Sequence, residues 1–401
     1  DLLAPDDNER RWQVLSGRER VLDVRGERSE QQADLNALTA LVEALDDAAR
    51  RATVYVLRAG YAGVMGDYKA TLPLAETAAA FARKAGNLDI ELNALMYQAQ
   101  TMLFLGEPEE AGRIITDILA REPGLTDESV RGLVLSLGAH YYGDAGDLVR
   151  EVRLQQQSIE AARRSGHETR ELTNRANLGL LYSVLGLYDE ARVILEEALT
   201  LAETCGHRRL RAGVLAHLGS VYWSLGDLSH AQQLLEQALA EQRAARDAYA
   251  EAASLMSLGL ILEKQGELGA AAERLAASRL LFAEIGATPD SFEAQAIEAR
   301  VALALGRRER ACELATKVWQ HARDEGLESM GSPAGIYLAL ADVFRVTEDE
   351  ALTARASVEA GYRDLTLRAD KISAEEWRHS FLENVPENRA LLARWREISP
   401  Q

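Results

Sequence analysis

Apolar residues recur through almost the whole chain at the three- and four-residue spacing of an α-helix. One stretch reads Leu178, Tyr182 and Leu185 and, after a break, Val193, Leu195, Ala198 and Leu199. Glycines mark the breaks. Gly26, Gly66, Gly106, Gly146, Gly186, Gly226, Gly266 and Gly306 follow one another at intervals of 40 residues, and Gly86, Gly166, Gly206, Gly286 and Gly326 lie 20 residues out of phase with them. Only 29 of 401 residues are glycine, so this regularity marks a repeated unit. Each unit predicts two helices, and each glycine ends one of them at the position where positive φ excludes most other residues. The acids that follow, in Gly66-Asp67, Gly106-Glu107, Gly146-Asp147, Gly226-Asp227 and Gly266-Glu267, suit the positive end of the next helix.

The pattern predicts helices at about 8–25 and 28–45, then a pair every 40 residues up to a ninth near 333–346 and 349–369. Ser332-Pro333 reads as N-cap and first residue of the ninth pair. Val346 stands on the rung where a glycine is due, so the last pair is atypical. Three regions follow: residues 1–7 as a linker from an upstream region, 8–372 as the repeat array, and 373–401 as C-terminal capping helices and tail. A stack of repeats must cover its last apolar face, and Leu391, Leu392, Trp395 and Ile398 make a stripe suited to that task. The chain begins at Asp1 without an initiator Met, which suggests a piece of a longer protein.

Composition narrows the function classes. With 47% hydrophobic and 27% charged residues the chain has ample core material. Its formal charge of −18 opposes nucleic-acid binding, which needs a basic stripe against phosphate. Arg208, Arg209 and Arg211 read as a solvated helix start, and the skew of forty arginines to five lysines looks like codon bias in a GC-rich bacterial genome. Cys205 and Cys312 sit at unrelated phases, so neither a disulfide framework nor a metal knot is indicated; a cytoplasmic setting is expected. No run of 18 apolar residues occurs, and no membrane association is expected. His-Glu-x-x-His, Cys-x-x-Cys, phosphate-loop and Gly-x-Ser-x-Gly motifs are absent, so the expectation is a non-catalytic chain without cofactor or metal. His167 and His207, 40 residues apart, each follow a linker glycine and read as helix-start residues.

Between 171 and 285 the unit resolves further. Leu178-Gly179, Leu218-Gly219 and Leu258-Gly259 precede the turn glycine, as do Tyr182 and Tyr222; Ala191, Ala231 and Ala271 follow it, then Ala198 and Ala238. This order resembles the tetratricopeptide repeat. The resemblance weakens toward both ends: Leu137-Gly138 falls one residue early, and the repeats around Gly66, Gly106 and Gly306 keep Ala59, Ala99 and Ala299 but lose the tyrosine. It implies an all-α fold, a right-handed α-α superhelix of about nine helical hairpins plus a C-terminal capping helix, with first helices lining a concave groove. Carried onto the matching repeats, the groove positions include Thr173, Asn177, Leu180, Ser183 and Val184, then His217, Ser220, Trp223 and Ser224, then Met256, Ser257, Leu260 and Glu263. The ladder's phase adds Asn93, Tyr97, Gln100 and Phe104, and His140 lies on a first helix. Trp223 is the sharpest candidate: it adjoins Tyr222, and both cannot enter one helix seam, although superhelical twist could instead bury it against a neighbour. Asn177 could clamp an extended peptide backbone with its amide or serve as an interhelix hydrogen-bonding residue. His217 and His140 could face the groove or pack within it.

A 40-residue repeat also resembles the sensor arrays of MalT-like regulators and related signal-transduction NTPases, and the run Ser380-Phe-Leu-Glu-Asn-Val-Pro-Glu-Asn-Arg389 looks like the ending of large bacterial proteins of that kind. The resemblance implies a sensor module that binds a protein or peptide partner, or a small-molecule inducer, in the concave groove and thereby controls an upstream NTPase domain in cis. A constitutive protein-interaction scaffold is the first alternative, and an enzyme on a helical solenoid the second.

Overall fold

A computed structural model describes residues 7–45, 47–327, 330–346 and 351–399. Residues 1–6 of the expected linker, and 349–350 of the expected ninth pair, lie outside the described residues. The chain forms two compact units, residues 1–145 with 153–167 and residues 146–152 with 168–401. Among the described residues all regular structure is helical.

The first unit is a succession of hairpins: α1 (Asn8–Arg25) with α2 (Arg28–Ala44), α3 (Ala48–Val64) with α4 (Tyr68–Ala85), α5 (Leu88–Leu105) with α6 (Pro108–Arg121), then α7 (Glu128–Asp144) and the greater part of α8 (Leu148–Arg164). In the second, α9 (Glu168–Val184) pairs with α10 (Tyr188–Cys205), α11 (Arg208–Ser224) with α12 (Leu228–Ala245), and α13 (Ala248–Gln265) with α14 (Leu268–Glu284). There follow α15 (Thr288–Ala304) with α16 (Arg308–Asp324), α17 (Pro333–Arg345) with α18 (Ala351–Asp370), and the short helices α19 (Glu375–Glu383) and α20 (Pro386–Ile398). The observed helix boundaries fall within about two residues of those the periodicity predicts, the usual uncertainty of a helix end, except that α6 stops at Arg121, about four residues early, before a 3-10 turn at Glu122–Gly124.

The glycine rungs close the turns. All thirteen ladder glycines have φ between 66° and 89°, and each rung leaves the backbone N–H groups behind it bonded to the last carbonyls of the helix. Arg246, on a rung without glycine, holds the same left-handed conformation at φ 55°. Asp67, Asp147 and Asp227 cap the following helices by accepting from the backbone N–H of Ala70, Arg150 and His230. Glu107 and Glu267 stand at the same place without such a bond, since the extra methylene carries the carboxylate past the N–H it would meet. Ser332 likewise holds the N-cap position of α17 without a side-chain cap bond.

The small residues explain how closely the helices pair. Ala191, Ala198, Ala231, Ala238 and Ala271 are fully buried. A Cβ on Gly219 or Gly259 would lie 2.7 Å or 2.6 Å from Leu235 or Leu275, the buried leucine of the paired helix. Those leucines, with Leu178, Leu218 and Leu258, form the seam, each contributing about 1.5–3 kcal/mol by burial. At the early pair Leu137-Gly138 it is Gly138 that faces Leu119 and Leu154, with Ala139 buried beside it.

In the second unit the C-terminal helices do two things. Leu391 is fully buried, Trp395 stacks on Tyr362 at 4.6 Å, and Arg394 pairs with Asp342 at 3.1 Å, so α20 covers α17 and α18. The end of α19 reaches back to a turn almost 200 residues earlier: Asn384 donates through Nδ2 to the Gly186 carbonyl at 3.3 Å. A Cβ on Gly186 would lie 2.8 Å from the Ser380 carbonyl oxygen. The tail therefore crosses the face formed by the first helices.

Candidate functional site

A cavity of about 280 Å³ lies beneath this crossing, wholly within the second unit. Its floor is made by the C-terminal halves of first helices: Ser183 and Val184 from α9, Ser220, Trp223 and Ser224 from α11, Ser257, Leu260 and Ile261 from α13, and Ile297 and Arg300 from α15. One wall is the segment 331–336 that opens α17, together with Asp364, Leu365 and Arg368 of α18. The roof comes from the tail through Phe381, Val385, Glu387 and Asn388. Asn388 donates through Nδ2 to the Phe381 carbonyl at 2.8 Å, which holds the bend between α19 and α20. The lining is mostly apolar with a few polar groups, the make-up of a pocket that orients a small ligand.

The charges in this lining are unevenly matched. Arg300 forms a two-point pair with Glu263, at 2.7 Å and 2.6 Å. Burial works against the Arg300 charge, but the Glu263 bonds outweigh it and keep the guanidinium firmly protonated. Arg368 pairs with Asp364 at 2.9 Å. Glu293 is buried and accepts from the Gly331 backbone N–H at 3.0 Å, with no cationic side chain against it among the described residues. Burial pushes its carboxyl up and the neighbouring charges of Asp290 and Glu387 push the same way, opposed in part by the backbone N–H groups of Gly331 and Ser332. Glu387, on the roof, is also pushed up by burial; its own backbone N–H and the more distant charges of Arg300 and Lys264 offset this in part. The Tyr188 hydroxyl is held above its ordinary pKa by burial, opposed by a hydrogen bond with Ser224.

Of the fifteen principal candidates, Ser183, Ser220, Trp223 and Leu260 line this cavity, and Val184, Ser224 and Ser257 from the same groove positions join them. Tyr222 points elsewhere, donating to Glu196 at 3.2 Å and packing on His230. Glu263 stands behind the lining as the Arg300 partner. Met256 packs against core clusters, and burial pushes the His217 imidazole below its ordinary pKa. Thr173 bonds back to the Thr169 carbonyl, Leu180 is exposed, and Asn177 is half-buried; these three do not line the cavity. Asn93, Tyr97, Gln100, Phe104 and His140 belong to the first unit. There Tyr97 lies over Gly60, Phe104 is exposed and stacks on Tyr68 at 4.8 Å, Gln100 and His140 are exposed, and the buried Asn93 Oδ1 has no hydrogen-bond partner.

Sequence reasoning missed Glu293, Arg300 and Glu387. The first two lie on a repeat without the tyrosine that fixes register, but α15 carried a signal: Glu293, Gln295 and Glu298 interrupt a helix that is buried nearly all round. Nothing local marks Glu387, which reaches the site only because the tail folds back.

The model of the tetratricopeptide repeat matches residues 168–244, the α9–α12 hairpins. No curated protein matches the chain. The apo form of RapI superposes on 92% of this chain and 100% of its own, with a TM-score of 0.68 at 12% identity. Both units are built of tetratricopeptide-type hairpins. The apo quorum sensor NprR from B. thuringiensis shares the fold over 86% of this chain and 97% of its own, with a TM-score of 0.59 at 15% identity. A signal-transduction ATPase with numerous domains and a tetratricopeptide repeat sensor, from Pyrococcus horikoshii, matches 88% of this array at a TM-score of 0.53 and 17% identity. This array covers 55% of that longer protein. At these identities the likeness is one of fold. Among the described residues no group of His, Cys, Asp and Glu is disposed to hold a metal ion, and no helix is long and apolar enough to cross a membrane.

Proposed function

We propose that the chain is a non-catalytic sensor module that takes an effector in the concave cavity of its second unit. The observation that carries this reading is the cavity itself: groove-facing positions of successive first helices meet the C-terminal tail around one partly open space. The polar groups there are positioned to hold and orient a ligand, and Trp223 offers a large rigid surface. Solved proteins of the same fold include a quorum sensor and an ATPase with a repeat sensor, which makes a regulatory role the natural comparison.

The switching logic follows from the architecture. Ligand in the cavity touches both the repeat floor and the tail, so it stabilises whichever arrangement of the two it fits better; only that difference in affinity moves the population. In the full protein, on this reading, the movement is transmitted in cis to an upstream NTPase domain of a bacterial, cytoplasmic signalling protein. Neither nucleic acid nor membrane is a partner.

A thermal-shift screen of peptide and metabolite collections against the 401-residue chain tests the reading. We expect at least one compound to raise the melting temperature, and Trp223→Ala to weaken its binding more than tenfold with little change in the unliganded melting temperature. The reading fails if every compound is silent, or if all hits bind Trp223→Ala unchanged.

A further inference from the structure

We infer that the effector of this cavity is a small organic cation, an ammonium group carried on an apolar body. The inference rests on the sensor reading above and adds the ligand's charge. Within the lining, Arg300 is satisfied by Glu263 and Arg368 by Asp364. That leaves two carboxylates with no cationic side chain in ion-pair contact among the described residues, Glu293 on the wall and Glu387 on the roof; the Glu387 charge acts on Glu293, and Arg300 and Lys264 act on Glu387 from farther away. Glu293 is buried and Glu387 half-buried, and the loss of water disfavours both charges, so a cation placed between them recovers attraction that water screens only in part. The backbone N–H groups of Gly331 and Ser332 donate to Glu293, which fixes the direction of that carboxylate and leaves its charge without a counter-ion.

The rest of the cavity selects the body. Trp223 and Leu260 on the floor, with Phe381 and Val385 above, form an apolar sleeve beside the carboxylates. An indole face also attracts an adjacent ammonium, which adds to the pairing with Glu387. The occupant is a small molecule because the tail already crosses the concave face: Asn384 is bonded to Gly186, closing the track an extended peptide would follow. An anion is disfavoured, since both arginines of the lining are engaged and Glu293 and Glu387 would repel it.

Isothermal titration of the full chain with phenethylamine, 2-phenylethanol and 3-phenylpropionate separates charge from shape. The amine should bind at least tenfold more tightly than the alcohol or the acid. Glu387→Gln should lower amine affinity about tenfold while leaving that of the alcohol unchanged, and circular dichroism and melting temperature report whether the variant is folded. Tighter binding of the acid or alcohol, equal affinities, or no binding of the amine at millimolar concentration overturns the assignment of a cation, whatever the state of the variant. If hits from the broader screen require Trp223 but are neutral or anionic, the charge assignment falls while the sensor reading stands. If no compound of any charge binds, the sensor reading falls with it.

Discussion

At the scale of single residues, the sharpest tests lie where the chain departs from its own pattern. Arg246 occupies a half-phase rung in the left-handed conformation, exposed and without the glycine found on the other described half-repeat turns of this kind. An L-residue there costs about 1–2 kcal/mol, so Arg246→Gly should stabilise the second unit by up to about 1 kcal/mol in urea unfolding, once the greater freedom of glycine in the unfolded chain is subtracted. The glycine ladder was legible in the sequence because it repeats; that position 246 keeps the conformation after losing the residue was not. His217 supplies a pH test. Burial lowers its folded-state pKa, so the unfolded chain binds the proton more readily. The stability this group contributes is therefore fully present above about pH 6.5 and is lost as pH falls from there toward the folded-state value. Melting of wild type and His217→Gln at pH 5 and pH 7.5 should show a smaller pH dependence in the variant; identical dependence would remove His217 from the account.

At the scale of helices and turns, two glycines of one ladder separate a local role from a long-range one. Gly186 and Gly226 both need positive φ, but a Cβ at Gly226 meets nothing, whereas at Gly186 it meets the Ser380 carbonyl. Each alanine substitution should cost about 1–2 kcal/mol from backbone conformation. Only Gly186→Ala should also speed hydrogen exchange in α19, as the tail loses its seat; equal exchange in the two variants would deny the contact its importance. Another exception has a local remedy. The rung at Thr126 lacks a glycine, and the chain there turns through the 3-10 segment Glu122–Gly124, held by Asp89. The Asp89 carboxylate accepts from the Thr126 N–H at 2.8 Å, the Thr126 hydroxyl at 2.6 Å and the Asp127 N–H at 3.0 Å. Burial raises its pKa, and these bonds outweigh burial to leave it lowered. Asp89→Ala should cost about 1–2 kcal/mol in the first unit, measured by urea unfolding at neutral pH. Helix positions and pairing were readable because apolar period and turn residues are local properties. This clamp joins residues 37 and 38 positions apart, and no period announces it.

At the scale of the whole molecule, the repeat count and the groove-facing register emerge from the sequence, but the cavity does not. Most of its floor residues, Ser183, Val184, Ser220, Trp223, Ser224, Ser257 and Leu260, could be named from the repeat because they fall at recurring positions of the first helices; Ile261, Ile297 and Arg300 were not. Its roof could not, because α19 and α20 belong to no repeat, and the tail is seated against the Gly186 turn by a hydrogen bond spanning 198 positions. Glu387 illustrates the difference: by sequence it is an acid in the first turn of a short helix, and only tertiary folding brings it into the same cavity lining as Trp223. The central claim is that repeat floor and tail roof together form one ligand site. A crystal structure of the full chain with the tightest compound from the thermal-shift screen tests it most directly. The account predicts density for the compound between Trp223 and α20, with any ammonium group directed at Glu387 and Glu293; a compound bound on another face, with the tail and cavity unchanged, would contradict it.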